Sequence, residues 1–173
     1  MGDLSTVQKR IRELAKEKDV IILAHNYQIG EIQDIADIVG DSLVLAMKAV
    51  DVKQSTILFC GVDFMAESAK ALSPEKKVIH PVPDSNCPMA HMVDVEGLEE
   101  FRKEHPNAPV VTYVNSTADV KAHSDICCTS ANAVKVVRSL KEDEVIFVPD
   151  SNLGAYVQSQ VPEKKVHLWA GYC

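Results

Sequence analysis

The pentapeptide Pro74-Glu75-Lys76-Lys77-Val78 returns unchanged as Pro162-Glu163-Lys164-Lys165-Val166, 88 positions further on (74 to 162). Other residues keep the same spacing. Leu58-Phe59 pairs with Ile146-Phe147, Asp37 with Asp125 and Ser42 with Ser130, while a spacing of 89 pairs Asn26 with Asn115. That many matches in one order mark an internal duplication, and a repeat has to be read before any element is assigned.

The two copies run through the same succession of patterns. An amphipathic helical pattern opens each (Val7, Ile11, Leu14; then Leu98, Phe101), followed by an apolar strand-like run, Val20–Ala24 or Val110–Val114. Next comes a helix with a serine at its start, Ser42 ahead of Leu43–Val50 and Ser130 ahead of Ala131–Leu140. A short strand (Thr56–Cys60, Glu144–Val148), a helix opened by Asp63 or Asn152, and a last strand after the Pro-Glu-Lys-Lys run complete the unit. Strands alternating with helices imply parallel sheets joined by right-handed crossovers. The expected fold is α/β: tandem three-layer α/β/α domains with parallel sheets, one over residues 1–88 and the other over 89–173. Asp94 is expected to cap the first helix of the second domain.

Composition narrows the possible partners. A chain of 173 residues, 46% hydrophobic and with a mean hydropathy of −0.04, has enough apolar material for one large core or two small ones. A net charge of −7, a pI near 5.3 and no block of lysine or arginine argue against nucleic acid or an anionic membrane as partner, so an anionic ligand has to be met by local donors. No run approaches the roughly 18 apolar residues of a membrane span. Residues 1–18 read as a charged helix rather than a secretory leader, which makes the cytoplasm the expected location. Five cysteines, an odd number without scaffold spacing, are expected as thiols or metal ligands rather than disulfides.

Chemistry-bearing residues recur with the repeat. The polar loop after the last strand reaches Cys87 in one copy and Cys173 in the other, 86 positions apart (87 to 173). A lone cysteine is usually a buried hydrophobe, but two at matched positions can converge on the axis relating the copies. One thiolate per domain suits a shared iron-sulfur cluster better than structural zinc, which draws paired ligands from short Cys-x-x-Cys spacings. Two are too few for a cluster, and a third copy would carry the next at about position 259.

Ser42 and Ser130, at the starts of equivalent helices, either cap them or help to hold a carboxylate or phosphate there. Leu23-Ala24-His25-Asn26-Tyr27-Gln28 leaves a strand and sets an imidazole, an amide and a phenol at the carboxyl edge of the sheet, where open α/β sheets bind ligands. His25 can hold an anion or carbonyl, and Tyr27 can transfer a proton where neighbouring charge favours its ionised form. Tyr113-Val114-Asn115-Ser116 fills the same place in the second copy, which implies a site between the domains. Cys60, Cys127 and Cys128 are expected to pack. Trp169 has no evident role.

Ile22-Leu23-Ala24-His25-Asn26-Tyr27-Gln28, Gly40-Asp41-Ser42, Gly61-Val62-Asp63-Phe64-Met65-Ala66-Glu67, Cys87-Pro88-Met89-Ala90, Tyr113-Val114-Asn115-Ser116 and Thr129-Ser130-Ala131-Asn132 together resemble the quinolinate synthases. The similarity runs over essentially the whole chain. It implies three homologous α/β domains about a pseudo-threefold axis, of which this sequence carries two, with one cysteine per domain binding a [4Fe-4S] cluster. It implies condensation of iminoaspartate with dihydroxyacetone phosphate to give quinolinate and phosphate on the route to NAD. An L-aspartate oxidase or dehydrogenase would be the source of iminoaspartate. On this resemblance Cys87 and Cys173 are two of the three cluster ligands, the third lying outside this chain. His25, Ser42, Tyr113, Val114, Asn115 and Ser130 hold substrate, and Tyr27 with His25 serves as acid and base. The competing expectation is a non-catalytic α/β module that binds a phosphorylated or dicarboxylate metabolite.

Overall fold

A computed structural model describes residues 5–173; the first four residues of the charged segment read above lie outside the described residues. The chain divides into two compact units, one ending at Asn86 and the other running from Cys87 to Cys173.

In the first unit, α1 (Thr6–Glu17) begins at a capping box, in which the Ser5 hydroxyl accepts from the Gln8 amide and the Gln8 side chain accepts from the Ser5 amide. There follow β1 (Val20–His25), α2 (Gly30–Gln33), β2 (Ile38–Gly40), α3 (Ser42–Asp51), β3 (Thr56–Cys60), α4 (Asp63–Leu72) and β4 (Lys77–Ile79). The second unit opens with a 3-10 turn (Pro88–His91). It continues through α5 (Val95–Glu104), β5 (Val110–Tyr113), α6 (Ala118–Ala122), β6 (Ile126–Cys128), α7 (Ala133–Ser139), β7 (Glu144–Val148), α8 (Ser151–Gln160) and β8 (Lys165–Leu168). Asp94 caps α5 as expected, accepting from the Gly97 amide at 2.8 Å.

Both sheets are wholly parallel, with orders β2-β1-β3-β4 and β6-β5-β7-β8. The sequence pattern shows three strands per copy; the structure adds a fourth, β2 or β6. Each is a three-residue edge strand, too short to display alternation and bonded on one side only.

Successive strand residues point to opposite faces, and both faces are covered. In the second unit Val110, Ile146 and Val148 pack with Leu98 and Val120 from α5 and α6. Val111, Val145 and Phe147 pack with Ala133, Val137 and Val157 from α7 and α8. This is the three-layer arrangement that the alternation of elements implies.

The duplication extends to individual hydrogen bonds. Arg12 donates to the Ile35 carbonyl and to Asp37, whose other oxygen accepts from the Ile22 amide at 2.8 Å. Arg102 donates to the His123 carbonyl and to Asp125, which accepts from the Val110 amide at 2.8 Å. In each unit a helix arginine and a loop aspartate thus dock the first helix onto the central strand.

The repeated pentapeptide also has a structural task. Its proline stops α4 or α8, since it cannot continue a helix. Its first lysine reaches past that helix to the C-terminal end of the one before it, α3 or α7. Lys76 is buried and donates to the carbonyls of Ala49, Val50 and Val52, while Lys164 donates to those of Leu140 and Glu142. Ala49 and Val50 are in the last turn of α3, whose carbonyls helix geometry leaves without partners, while Val52, Leu140 and Glu142 lie in the cap and turn that follow α3 or α7.

Replacing Lys76 with methionine is expected to cost about 1–3 kcal/mol, the penalty for buried acceptors left unpaired. Lys164→Met should cost less, because that lysine is only half-buried and serves two carbonyls. Urea midpoints of the two variants check this, and equal costs would refute the capping account.

Candidate functional site

The carboxyl ends of the central strands carry the first candidates. His25 is the last residue of β1 and pairs with Gly40, and Tyr113 is the last residue of β5 and pairs with Cys128. The ladder continues one residue further: the Asn26 amide donates to the Gly40 carbonyl at 3.0 Å and the Val114 amide to the Cys128 carbonyl at 2.9 Å. His25 is therefore the counterpart of Tyr113, and Asn26 that of Val114. The pairing of Asn26 with Asn115 suggested by the 89-residue spacing does not hold, because the backbone keeps its register to the end of the strand and Asn115 falls in the bend beyond.

In the first unit His25 is 7% exposed, and its Nδ1 accepts from the Tyr27 amide at 3.2 Å. The neutral ring therefore carries its proton on Nε2. Burial lowers the pKa of His25, and the nearby Asp41 carboxylate partly opposes this. The Tyr27 ring meets the imidazole edge-on, with centroids 4.7 Å apart, and is itself 90% exposed. Asp41, not Ser42, caps α3, accepting from the Val44 amide at 2.8 Å; Ser42 is the first helical residue.

In the second unit the Tyr113 hydroxyl is hydrogen-bonded to Ser130. Burial pushes the Tyr113 pKa up, the Ser130 bond pulls it down, and the negative ends of Asp150, Cys128 and Cys173 push it up again. At neutral pH it is a protonated donor. Ser130 lies in the turn before α7 and does not cap it: Asn132 is the cap residue, and its side chain accepts from the Thr129 amide. Val114 and Asn115 stand half-buried in the bend after β5, which the Ser116 hydroxyl closes by donating to the Tyr113 carbonyl. Sequence reasoning missed Asp150, a buried carboxylate that caps α8 beside Tyr113. The available signal was its place in the repeat, where the first copy has Val62.

Both loop cysteines are placed by one device. The Asp63 amide, first in α4, donates to the Ser85 carbonyl at 2.9 Å, and the Ser151 amide, first in α8, donates to the Gly171 carbonyl at 2.8 Å. Each accepting residue stands two before a cysteine, Cys87 or Cys173, so the 86-residue spacing reflects a structural equivalence. A second bond, from the Ser151 hydroxyl to Gly171, tightens the later loop, and a Cβ at Gly171 would come within 2.3 Å of the Pro149 carbonyl oxygen. Cys87 is half-buried and Cys173 exposed.

The other cysteines differ from this pair. Cys128 is buried and its thiol is pushed up to about 12, mainly by burial; burial likewise raises Cys60. Cys127, expected to pack, is instead exposed, because alternation along edge strand β6 sends it away from the core that receives Cys128. Among the described residues no group of three His, Cys, Asp or Glu side chains is arranged to hold a metal ion.

The family described as "NadA: Quinolinate synthetase A protein" matches residues 9–173. The chain belongs to the quinolinate synthetase A family. Among its relatives, the quinolinate synthase of Alkaliphilus metalliredigens (strain QYMF) is 62% identical over 163 residues, covering 94% of this chain and 54% of that protein. The quinolinate synthase of Dehalococcoides mccartyi (strain CBDB1) is 62% identical over 167 residues, covering 96% and 55%. That of Aquifex aeolicus (strain VF5) is 53% identical over 171 residues, covering 99% and 53%. The chain spans about half the length of the curated relatives it matches.

The environment of His25 generates a pH prediction. Its ring is expected to titrate below its ordinary value of 6.5, and Asp41→Asn, which retains a capping side chain, should lower it further by removing the opposing charge. Because the folded value lies below the unfolded one, His25 costs nothing above about pH 6.5 and withdraws stability as pH falls towards its folded pKa. Ring NMR titration checks the order; a rise in Asp41→Asn would contradict it.

Proposed function

We propose that this chain forms part of a quinolinate synthase that condenses iminoaspartate with dihydroxyacetone phosphate, releasing phosphate and water and giving quinolinate for NAD synthesis in the cytoplasm. An L-aspartate oxidase or dehydrogenase would supply the iminoaspartate. The observation that carries this reading is the matched anchoring of the Cys87 and Cys173 loops, which gives two equivalent thiols in a chain whose two central strands end in an imidazole and a phenol.

The donor set suits a [4Fe-4S] cluster in kind: both thiols are accessible, stand on tethered loops and belong to no disulfide. It supplies two ligands, so the third would come from outside this chain. When bound, a cluster with three protein thiolates offers an open iron as a Lewis acid.

The chain's own residues have roles that follow from their environments. His25 offers a neutral Nε2–H and Tyr113 a protonated phenol, both able to donate to a carboxylate, carbonyl or phosphate oxygen without carrying charge. Ser130 orients the Tyr113 hydroxyl, while Ser42, Val114 and Asn115 complete the contacts to substrate. Tyr27, exposed and in edge contact with His25, is the acid and base for the enolisation and dehydration steps.

Anaerobic reconstitution with iron and sulfide, followed by Mössbauer spectroscopy, tests the cluster assignment. A labile cluster is expected from the chain alone and a stable one from a fusion carrying the C-terminal part of the Alkaliphilus relative. The fusion should form quinolinate from the two substrates, and Tyr27→Phe should slow it about a hundredfold. A fusion that takes up no iron and makes no quinolinate would overturn the proposal.

A further inference from the structure

Trp169 gains a place once the second unit is traced from one cysteine to the other. After Cys87 the chain enters the 3-10 turn, in which the Ala90 amide donates to the Cys87 carbonyl at 2.9 Å and the Met92 amide to the Met89 carbonyl at 3.1 Å. Met92 then meets the segment that leads to Cys173 at three points. Its carbonyl accepts the Trp169 indole N–H at 2.8 Å, its sulfur accepts the Tyr172 amide at 3.3 Å, and its Cβ lies against Gly171. These contacts cross 77 and 80 residues of sequence.

The indole is itself firmly seated. It lies over Gly97, where a Cβ would stand 2.9 Å from the Trp169 ring, and meets Phe101 edge-on at 5.7 Å between centroids. The Trp169 amide is held by the Phe147 carbonyl. The Trp169 ring, packed against α5 and the core of the second unit, thus ties the turn that follows Cys87 to the loop that ends in Cys173.

We propose that Trp169 and Met92 are positioning residues for the Cys87 and Cys173 thiols: the indole bond to the Met92 carbonyl and the Tyr172 amide bond to the Met92 sulfur together fix the reach from one cysteine to the other. The inference rests on the reading that these two cysteines bind one metal centre. On this proposal Trp169 and Met92 act through the loops they join.

Cadmium titration of the full chain, followed by thiolate-to-metal absorption, separates this inference from the reading beneath it. Cys127→Ser serves as the background, since Cys127 is an exposed competitor. In that background Trp169→Phe, which keeps a ring against Gly97 and loses the N–H, should weaken cadmium binding about tenfold to a hundredfold, the usual effect of removing an outer support. The thermal midpoint should stay close to that of the unaltered chain. Met92→Leu keeps the carbonyl that the indole uses and removes the sulfur that accepts the Tyr172 amide, so it tests the second tie at similar volume. It should weaken cadmium binding in the same direction, and it decides whether the ties position the thiols if Trp169→Phe does not fold. If Cys87→Ser and Cys173→Ser leave the absorption unchanged, the shared-ligand reading fails. If those two abolish it while the Trp169 and Met92 variants bind within about twofold of the background, short of the effect of a lost outer support, the positioning inference alone is overturned.

Discussion

The amide that opens a helix has no partner within that helix, and burying it without one is costly. In both units of this protein the amide at the start of the last helix, Asp63 in α4 or Ser151 in α8, is satisfied by a carbonyl from the loop that follows the last strand. That loop cannot drift without exposing an unpaired donor at the carboxyl edge of the sheet. The cysteine two residues later is therefore held by a constraint that belongs to the fold. Gly171 shows how close the approach is, since any side chain there would drive into the Pro149 carbonyl.

Two copies of one fold act as controls for each other. What both keep is what the architecture demands: the arginine and aspartate that dock the first helix, and the lysine that closes the end of the third. What differs is open to other uses. The strand end holds histidine in one copy and tyrosine in the other, and the residue before the last helix is Val62 in one and a buried Asp150 in the other. On the outer side of α3, Leu43, Met47 and Val50 are exposed, where α7 and the turn before it have Ala131, Lys135 and Arg138. The fold itself does not ask for those apolar residues.

Much of this was legible in the sequence, and the parts that were not share a cause. The order of elements, the parallel sheets and the equivalence of Cys87 with Cys173 follow from periodicity within segments and from residue identity between copies, both of which are written directly in the sequence. The edge strands β2 and β6 were invisible because three residues hold no period; β4 is equally short and was legible only through the repeated pentapeptide that leads into it. Asp41 and Ser42 are both good caps, and only backbone geometry shows that aspartate takes the role. Asn26 and Asn115 share an identity but not a position, because a ladder's register is set by its partners. Trp169 was unreadable because its contacts lie 77 residues away in Met92 and across the fold at Gly97.

The electrostatic character of the strand ends follows from the same economy. Burial opposes the charged form of any group, so it keeps His25 unprotonated and Tyr113 protonated near neutral pH, through opposite shifts of their pKa values. Each is left as an uncharged donor, His25 through Nε2 because Nδ1 is occupied, and Tyr113 through a hydroxyl held by Ser130. A chain of net charge −7 does not draw anions by its overall field. Donors fixed before the ligand arrives need no reorganisation when charge develops on an oxygen, and in a partly buried setting they act more strongly than they would in water. The proposed recognition of anionic oxygen would therefore rest on oriented dipoles rather than on lysine or arginine, in keeping with both the composition and the placement of these two residues.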